Sequence, residues 1–378
     1  MPHKKIHEKP PFECIALLLQ GGGALGAYQA GVYEALHEAN VEPNWIAGIS
    51  IGAINSAIIA GNAPEKRVEK LRSFWESITI PTPIDISPFI RGDKARGIIN
   101  QIYSSFAFLS GVQGFFEPRF PPPFMQPAGT QEATSFYDTT ALKSTLEQLI
   151  DFDRINNDSM RFSVGAVNVR SGNFVYFDNT IYTIGPEHIM ASGALPPGFS
   201  AVEIEGESYW DGGLVSNTPL DWVLGIRPQM DSLVFQVDLW SAHGDIPSSL
   251  PEVLTRQKEI QYSSRTRSST DRFRHAQKMR YALADVLEQL PNALKKNADV
   301  KLLKTEAVRK VFNIVELIYR PQHYEGDSKD YEFSRQSMEE HWRSGYYDTV
   351  RALRHKKILQ RPQEESVQTF DLSMDAKG

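Results

Sequence analysis

Ile15–Gln20 is a short apolar run that stops at three glycines, the pattern of a buried central strand feeding a tight turn. From Gly26 to Ala39 the apolar positions Ala27, Ala30, Val32, Tyr33, Leu36 and Ala39 recur at close to helical spacing. A second run, Trp45–Gly48, ends in a turn at Ser50. Gly52–Ala60 is then rich in alanine and isoleucine up to the helix stop Gly61-Asn62. Strand, glycine turn, helix, strand, turn and helix predict a mostly parallel sheet with helices packed on its faces. Phe162–Val169 and Asn173–Phe177, separated by Arg170-Ser171-Gly172, predict a hairpin, and Ser232–Leu239 a further strand.

Residues 81–137 break this rhythm. Five prolines fall within Pro118–Pro127, and Phe106, Phe108, Phe115, Phe116, Phe120 and Phe124 cluster there with few charges. A long stretch without evident elements fits a lid or an apolar contact surface, with Phe115, Phe116, Phe120 and Phe124 as lipid-contact candidates. An insertion packed on the sheet edge fits as well. After Leu239 the pattern turns helical: Phe273, Ala276, Leu283, Leu287 and Leu290 keep helical spacing up to Pro291. Val300, Leu303, Val308, Val311, Val315 and Ile318 do so again before Pro321. The expected organisation is an N-terminal tail (1–11), an α/β domain (12–242) carrying the insertion, a helical region (243–361) and a flexible polar tail (362–378).

Composition narrows the function classes. Among 378 residues 41% are apolar and 23% charged, enough for a sizeable core. Forty basic against 46 acidic residues give a net charge of -6, which argues against a dedicated nucleic-acid binder. Between Arg256 and Arg280 eight basic residues face only Glu259 and Asp271. That stripe fits either contact with anionic headgroups or a solvated helix face paired with nearby acids. Cys14 is the single cysteine, so neither an intrachain disulfide nor a cysteine-based zinc site is expected. No run approaches 18 apolar residues, and Ile15–Leu19 is too short for a signal-peptide core. The expectation is a cytoplasmic protein without a signal peptide or membrane span, able to touch a lipid surface peripherally.

Three motifs carry chemistry. In Gly48-Ile49-Ser50-Ile51-Gly52 a serine sits on a strand-to-helix turn, where a strained backbone pushes the hydroxyl out above the strand end. Gly21-Gly22-Gly23-Ala24-Leu25-Gly26 follows the first strand. Its bare N–H groups suit an oxyanion hole, and Gly21, Gly23 and Gly26 also fit a dinucleotide-binding fingerprint. The fingerprint asks for an acid ending the second strand, whereas Glu42 precedes that strand. Tyr209-Trp210-Asp211-Gly212-Gly213 places a carboxylate on a tight turn, which is also an ordinary β-turn composition. Ser50 needs a base to become nucleophilic. Of nine histidines, only His188 and His243 are reasonable candidates for a triad.

Taken together, and in this order, the motifs resemble those of the patatin-like phospholipase family over residues 12–242. A fourth block agrees: Ala191-Ser192-Gly193-Ala194-Leu195-Pro196-Pro197-Gly198-Phe199 is similar to the family's stretch upstream of its aspartate. The resemblance implies a three-layer α/β/α fold and hydrolysis of lipid acyl esters by a Ser-Asp dyad without histidine. It implies Ser50 as nucleophile, Asp211 as base, and the N–H groups of Gly22, Gly23, Ala24 and Ile51 as oxyanion hole. Gly21, Gly26, Gly48, Gly52, Gly212 and Gly213 are then the motif glycines. Leu25 departs from the Lys or Arg the family often has before the last loop glycine. The resemblance leaves the C-terminal 130 or so residues unexplained and calls for no metal or cofactor. An acyltransferase with the same dyad and a non-catalytic lipid-binding scaffold are the alternatives; oligomeric state is not encoded in any of these patterns.

Overall fold

The computed structural model describes residues 9–79, 92–263, 266–322, 324–326, 328–363 and 367–371. Its strands are β1 (Cys14–Leu19), β2 (Trp45–Gly48), β3 (Glu117–Pro118), β4 (Tyr137–Asp138), β5 (Arg161–Asn168), β6 (Phe174–Asp178), β7 (Val202–Ile204), β8 (Glu207–Asp211), β9 (Ser232–Asp238), β10 (Phe312–Ile318) and β11 (Val367–Asp371). Its α-helices are α1 (Ala27–Glu38), α2 (Ile51–Ala60), α3 (Pro64–Ser77), α4 (Asp93–Ser110), α5 (Thr140–Leu149), α6 (Phe152–Asn157), α7 (Pro186–Ser192), α8 (Leu220–Gly225), α9 (Leu250–Tyr262), α10 (Thr266–Glu288), α11 (Ala298–Glu306) and α12 (Arg335–Leu353).

The main sheet runs β11-β10-β9-β1-β2-β5-β8-β7, with β6 on the other edge of β5. β11 through β5 are parallel to their neighbours, and β6, β7 and β8 pair antiparallel. Strand β1 is apolar throughout because both of its faces are covered. Ile15, Leu17 and Leu19 join a large core with α1, α2, α3 and α12, while Cys14, Ala16 and Leu18 join a smaller one with α8 and Phe273 of α10. Those are the three layers. Among the described residues no helix is long and apolar enough to cross a membrane.

The C-terminal region is largely helical as expected, but its helical spacing misled at one point. Phe312–Ile318 is strand β10, hydrogen-bonded between β9 and β11. Val311, Val315 and Ile318 fit a helical period, yet a short apolar run with β-branched residues fits a buried strand equally, and a waiting sheet edge decides. The expected polar tail likewise carries β11. Sequence beyond position 240 therefore completes the same sheet rather than hanging from it. Helix α12 also packs along α1, where the Tyr28 hydroxyl donates to Asp348 at 2.9 Å and Arg72 lies over the Trp342 ring.

The insertion is not structureless. Residues 81–91 lie outside the described set, but Asp93–Ser110 forms the 18-residue helix α4, and β3 pairs with β4 to close the loop between them.

Candidate active site

Two strands approach the site head-on along one edge of β5. Gly48 at the end of β2 is in register with Val164, and Asp211 at the end of antiparallel β8 is in register with Ala166. β6 occupies the opposite edge of β5 through Ser163–Val167, so both strand ends share the remaining edge, with only Gly165 between their partners. Sheet register alone thus brings the serine turn and the aspartate together, although 161 positions separate them in the chain.

At the turn, Ser50 adopts φ 55° and ψ −125°, a region costly for any residue with a Cβ. The bend is tight enough that a Cβ on Gly48 would meet the Gly52 carbonyl oxygen at 2.2 Å. The Ser50 N–H donates to Ser192 Oγ at 3.0 Å, and that hydroxyl donates to the Gly165 carbonyl at 2.7 Å. Two residues on, the Ala194 carbonyl accepts the Asp211 N–H at 3.0 Å. The Ala191–Phe199 block therefore grips both residues, which explains its composition.

Asp211 is buried, and its Oδ1 accepts the Gly213 N–H at 2.7 Å. Burial pushes its carboxyl up to about 7, against the opposing pull of hydrogen bonds from Gly213 and the Ser50 side chain. Gly212 and Gly213 form the short turn that follows, while Gly26 caps α1 beneath the loop.

The glycine loop is braced from several sides. Gly21 donates its N–H to Asn217 Oδ1 at 3.2 Å, and its carbonyl accepts from Asn217 Nδ2 and Trp240 Nε1, each at 3.0 Å. Gln20 Oε1 accepts the N–H groups of Leu239 and Trp240 at 2.7 and 3.0 Å. Among the described residues, the N–H groups of Gly22, Gly23 and Ile51 have no hydrogen-bond partner. Gly21, Gly22, Gly23, Ser50, Ile51, Asp211 and Gly213 all line one cavity of about 460 Å³, whereas Ala24 is buried behind it. No histidine is found among the described lining residues. His188 instead accepts the Gly185 N–H at 3.0 Å and packs against Phe177, and His243 is exposed. The dinucleotide reading loses its acid as well: Glu42 is held by His37, Arg67 and Tyr33.

Comparison with known proteins bears on the family. The sequence profile described as patatin-like phospholipase matches residues 17–224. The chain belongs to the patatin-like phospholipase family. A second profile, DUF3734, described as patatin phospholipase, matches residues 260–365, the region the motifs left unexplained. A lysophospholipase, nte1, from Aspergillus terreus is 38% identical over 79 residues, or 18% of this chain and 5% of that protein. The chain thus spans a small fraction of that relative. VipD from Legionella pneumophila has a TM-score of 0.39 at 14% identity, over 92% of this chain and 67% of its own. The ExoU–SpcU complex of the Pseudomonas aeruginosa type III secretion system gives 0.26 at 15% identity, over 79% and 66%.

In this patatin-like chain both profile-matched regions build the cavity. The N-terminal region supplies Phe108, Phe115, Phe116, Tyr137 and Phe199 beside the motif residues; the C-terminal region supplies Tyr262, Asp330, Tyr331 and Phe333. The sequence patterns gave no warning of Asn217, Trp240 or the last four. Phe115 and Phe116 are buried in an aromatic cluster with Phe199 and Phe333, whereas Phe120 and Phe124 are almost fully exposed. The four lipid-contact candidates thus divide into two inner-wall residues and two surface residues. The basic stripe is largely paired: Arg256 with Glu259, Lys258 with Asp330, Arg272 with Asp221, Arg274 with Asp271 and Arg280 with Glu306. Leu25, where the family often has a cation, is fully buried.

Proposed function

We propose that the protein hydrolyses lipid acyl esters through an acyl-serine intermediate, with Ser50 as nucleophile and Asp211 as its only base. One observation supports this reading: a serine on a strained turn shares a cavity with a buried carboxylate shifted by burial to about 7, beside N–H groups that have no hydrogen-bond partner among the described residues. A base with a pKa near the working pH is best placed to accept a hydroxyl proton and return it. Asp211 takes the Ser50 proton as Oγ attacks the ester carbonyl. The oxyanion forms against the N–H groups of Gly22, Gly23 and Ile51, helped by the positive end of α2. Collapse breaks the ester bond, and the leaving alkoxide takes the proton from Asp211. Water then attacks the acyl-serine while Asp211 accepts its proton and passes it to Ser50 Oγ, freeing the fatty acid.

The aromatic cavity suits an acyl chain, and among the described residues no cation lines it to hold an anionic headgroup. The reading is tested by a fluorophosphonate probe with p-nitrophenyl acyl esters. Labelling on Ser50, lost in Ser50→Ala, with turnover reduced at least about 10³-fold in Ser50→Ala and Asp211→Asn, is expected. Full turnover in either variant rejects it.

A further inference from the structure

Helix α4 is built inside out. Arg96, Asn100, Ser104 and Ala107 form its buried stripe. At about 100° per residue the opposite side carries Ile98, Ile102, Phe106 and Leu109. These are 62%, 61%, 53% and 73% exposed. The helix is fixed in this orientation by its polar side: Arg96 reaches Ser337 Oγ at 3.2 Å and Glu340 at 3.3 Å, and Ser104 Oγ donates to Ser328 Oγ at 2.9 Å. A core-packed helix presents the reverse arrangement, and a continuous apolar stripe left facing outward marks an interaction surface.

We propose that this stripe seats the protein on an uncharged or zwitterionic lipid surface, a reading that rests on the acyl-ester hydrolase assigned above and names how its substrate is reached. Continuity with the cavity is the first argument. Phe108, in the last turn of α4, and Phe136 are both exposed and both line the cavity, and the Tyr137 hydroxyl ties the Phe108 carbonyl to the inner wall at 2.7 Å. An acyl chain leaving a bilayer under α4 would meet aromatic surface all the way to Ser50. Charge is the second. Between Gly97 and Gln131 only Glu117 and Arg119 are charged, and Arg119 is paired with Asp138 at 3.2 Å. Anionic membranes are recognised by clustered cations and protein partners by charged rims, and this stretch of chain carries neither. An apolar helix face lying in the headgroup boundary needs only the stripe.

The test separates binding from chemistry. In the Ser50→Ala protein, co-sedimentation with phosphatidylcholine vesicles is expected to be equal at low and high salt. Adding Ile98→Asn, Ile102→Asn and Leu109→Asn should lower the partition coefficient at least about a hundredfold. With Ser50 intact, the same three substitutions should cut hydrolysis of vesicle lipid by a comparable factor and leave p-nitrophenyl butyrate turnover within about twofold, which also reports an intact fold. Because Cys14 is buried, a nitrobenzoxadiazole label on Ile102→Cys gives a local readout whose fluorescence should rise on the vesicles. Overturning results are an Ser50→Ala protein that does not sediment, a triple variant that sediments equally, a label that stays dark, or a parent dimer split by the substitutions, which would put a second copy on the stripe. Loss of soluble-ester turnover in the unmutated protein would reject the catalytic reading and leave the vesicle result standing.

Discussion

The N–H of Ser50 is held at 3.0 Å by the hydroxyl of Ser192, a residue 142 positions away on the last turn of α7. This contact fixes the strained turn but consumes the serine's own amide, so in the proposed mechanism the developing oxyanion is left to Gly22, Gly23 and Ile51. Ser192→Ala removes an acceptor from one buried group and a donor from the Gly165 carbonyl. The expected cost is about 1–3 kcal/mol of stability, read by denaturant titration. Turnover should fall about 10–100-fold with KM little changed, because the turn relaxes without altering the acyl cavity. Unchanged kcat would show that the turn holds itself.

Asp211 is expected to oppose stability while serving catalysis. Its carboxyl titrates near 3.8 in an unfolded chain and at about 7 in the fold. A raised folded pKa means full stability below pH 3.8, with a loss that grows as pH rises and levels off above 7. Asp211→Asn, whose amide oxygen can still accept from Gly213, should therefore be more stable than the parent at pH 8, by up to about 4 kcal/mol. The gain should be clearly smaller at pH 5. Parallel melts at the two pH values check this, and an equal gain at both would contradict the burial argument. In the unsubstituted protein kcat/KM should rise with pH through an inflection near 7, as the proposed base ionises.

How much of this was legible follows from which interactions are local. β1, β2, α1, α2 and the Phe162–Phe177 hairpin were readable because period, glycine stops and turn residues lie within a few positions of each other. The serine turn, the glycine loop and Asp211 were readable because tight backbone restricts residue choice. Their meeting on one edge of β5 was not, since strand order is a long-range property. Phe312–Ile318 was misread because its apolar spacing fits two periods and only the β9 edge chooses. Tyr331 and Phe333 reach the cavity only because β10 and α12 fold the C-terminal region back onto the main sheet. α4 escaped notice for the opposite reason: a helix with its apolar stripe facing water and a polar stripe inside resembles an irregular insertion when a core-facing stripe is sought.

The phenylalanines of the insertion should separate sharply by variant. Phe116 packs against Tyr137 at 4.9 Å and Phe199 at 5.4 Å between ring centroids, so Phe116→Ala opens a buried void beside the cavity. The expected loss is about 3–5 kcal/mol, and less where acyl substrate refills the space. Turnover should shift toward longer or bulkier acyl chains. Phe120→Ser, at an almost fully exposed position, should change stability by less than about 0.5 kcal/mol. Thermal melts of the two variants, with a series of p-nitrophenyl esters, distinguish the roles. Similar destabilisation by both would mean that Phe120 is covered in solution.

The last prediction concerns control of the glycine loop by the C-terminal region. Gly23 has φ +56°, and a Cβ there would fall 2.1 Å from the Asp330 carbonyl oxygen, so the main chain at Asp330 rests directly on the loop. That segment is anchored to α9 by two ion pairs: Lys258 to the Asp330 carboxylate at 2.9 and 3.1 Å, and buried Lys329 to Glu259 at 2.8 Å. Burial lifts the Asp330 carboxyl above its usual range, and Lys258 pulls it back. Lys258→Met leaves that carboxylate without its cation, at a cost of about 1–3 kcal/mol, and loosens the floor on which the loop N–H groups are aimed. We expect kcat to fall about 10–100-fold with KM within threefold, since misaimed donors weaken oxyanion stabilisation and not chain binding. Because a protonated Asp330 needs no cation, the stability deficit of Lys258→Met should shrink as pH falls, and Asp330→Asn in the same protein should recover most of it. A double variant no more stable than Lys258→Met alone, with kcat unaffected in both, would detach the C-terminal region from the chemistry.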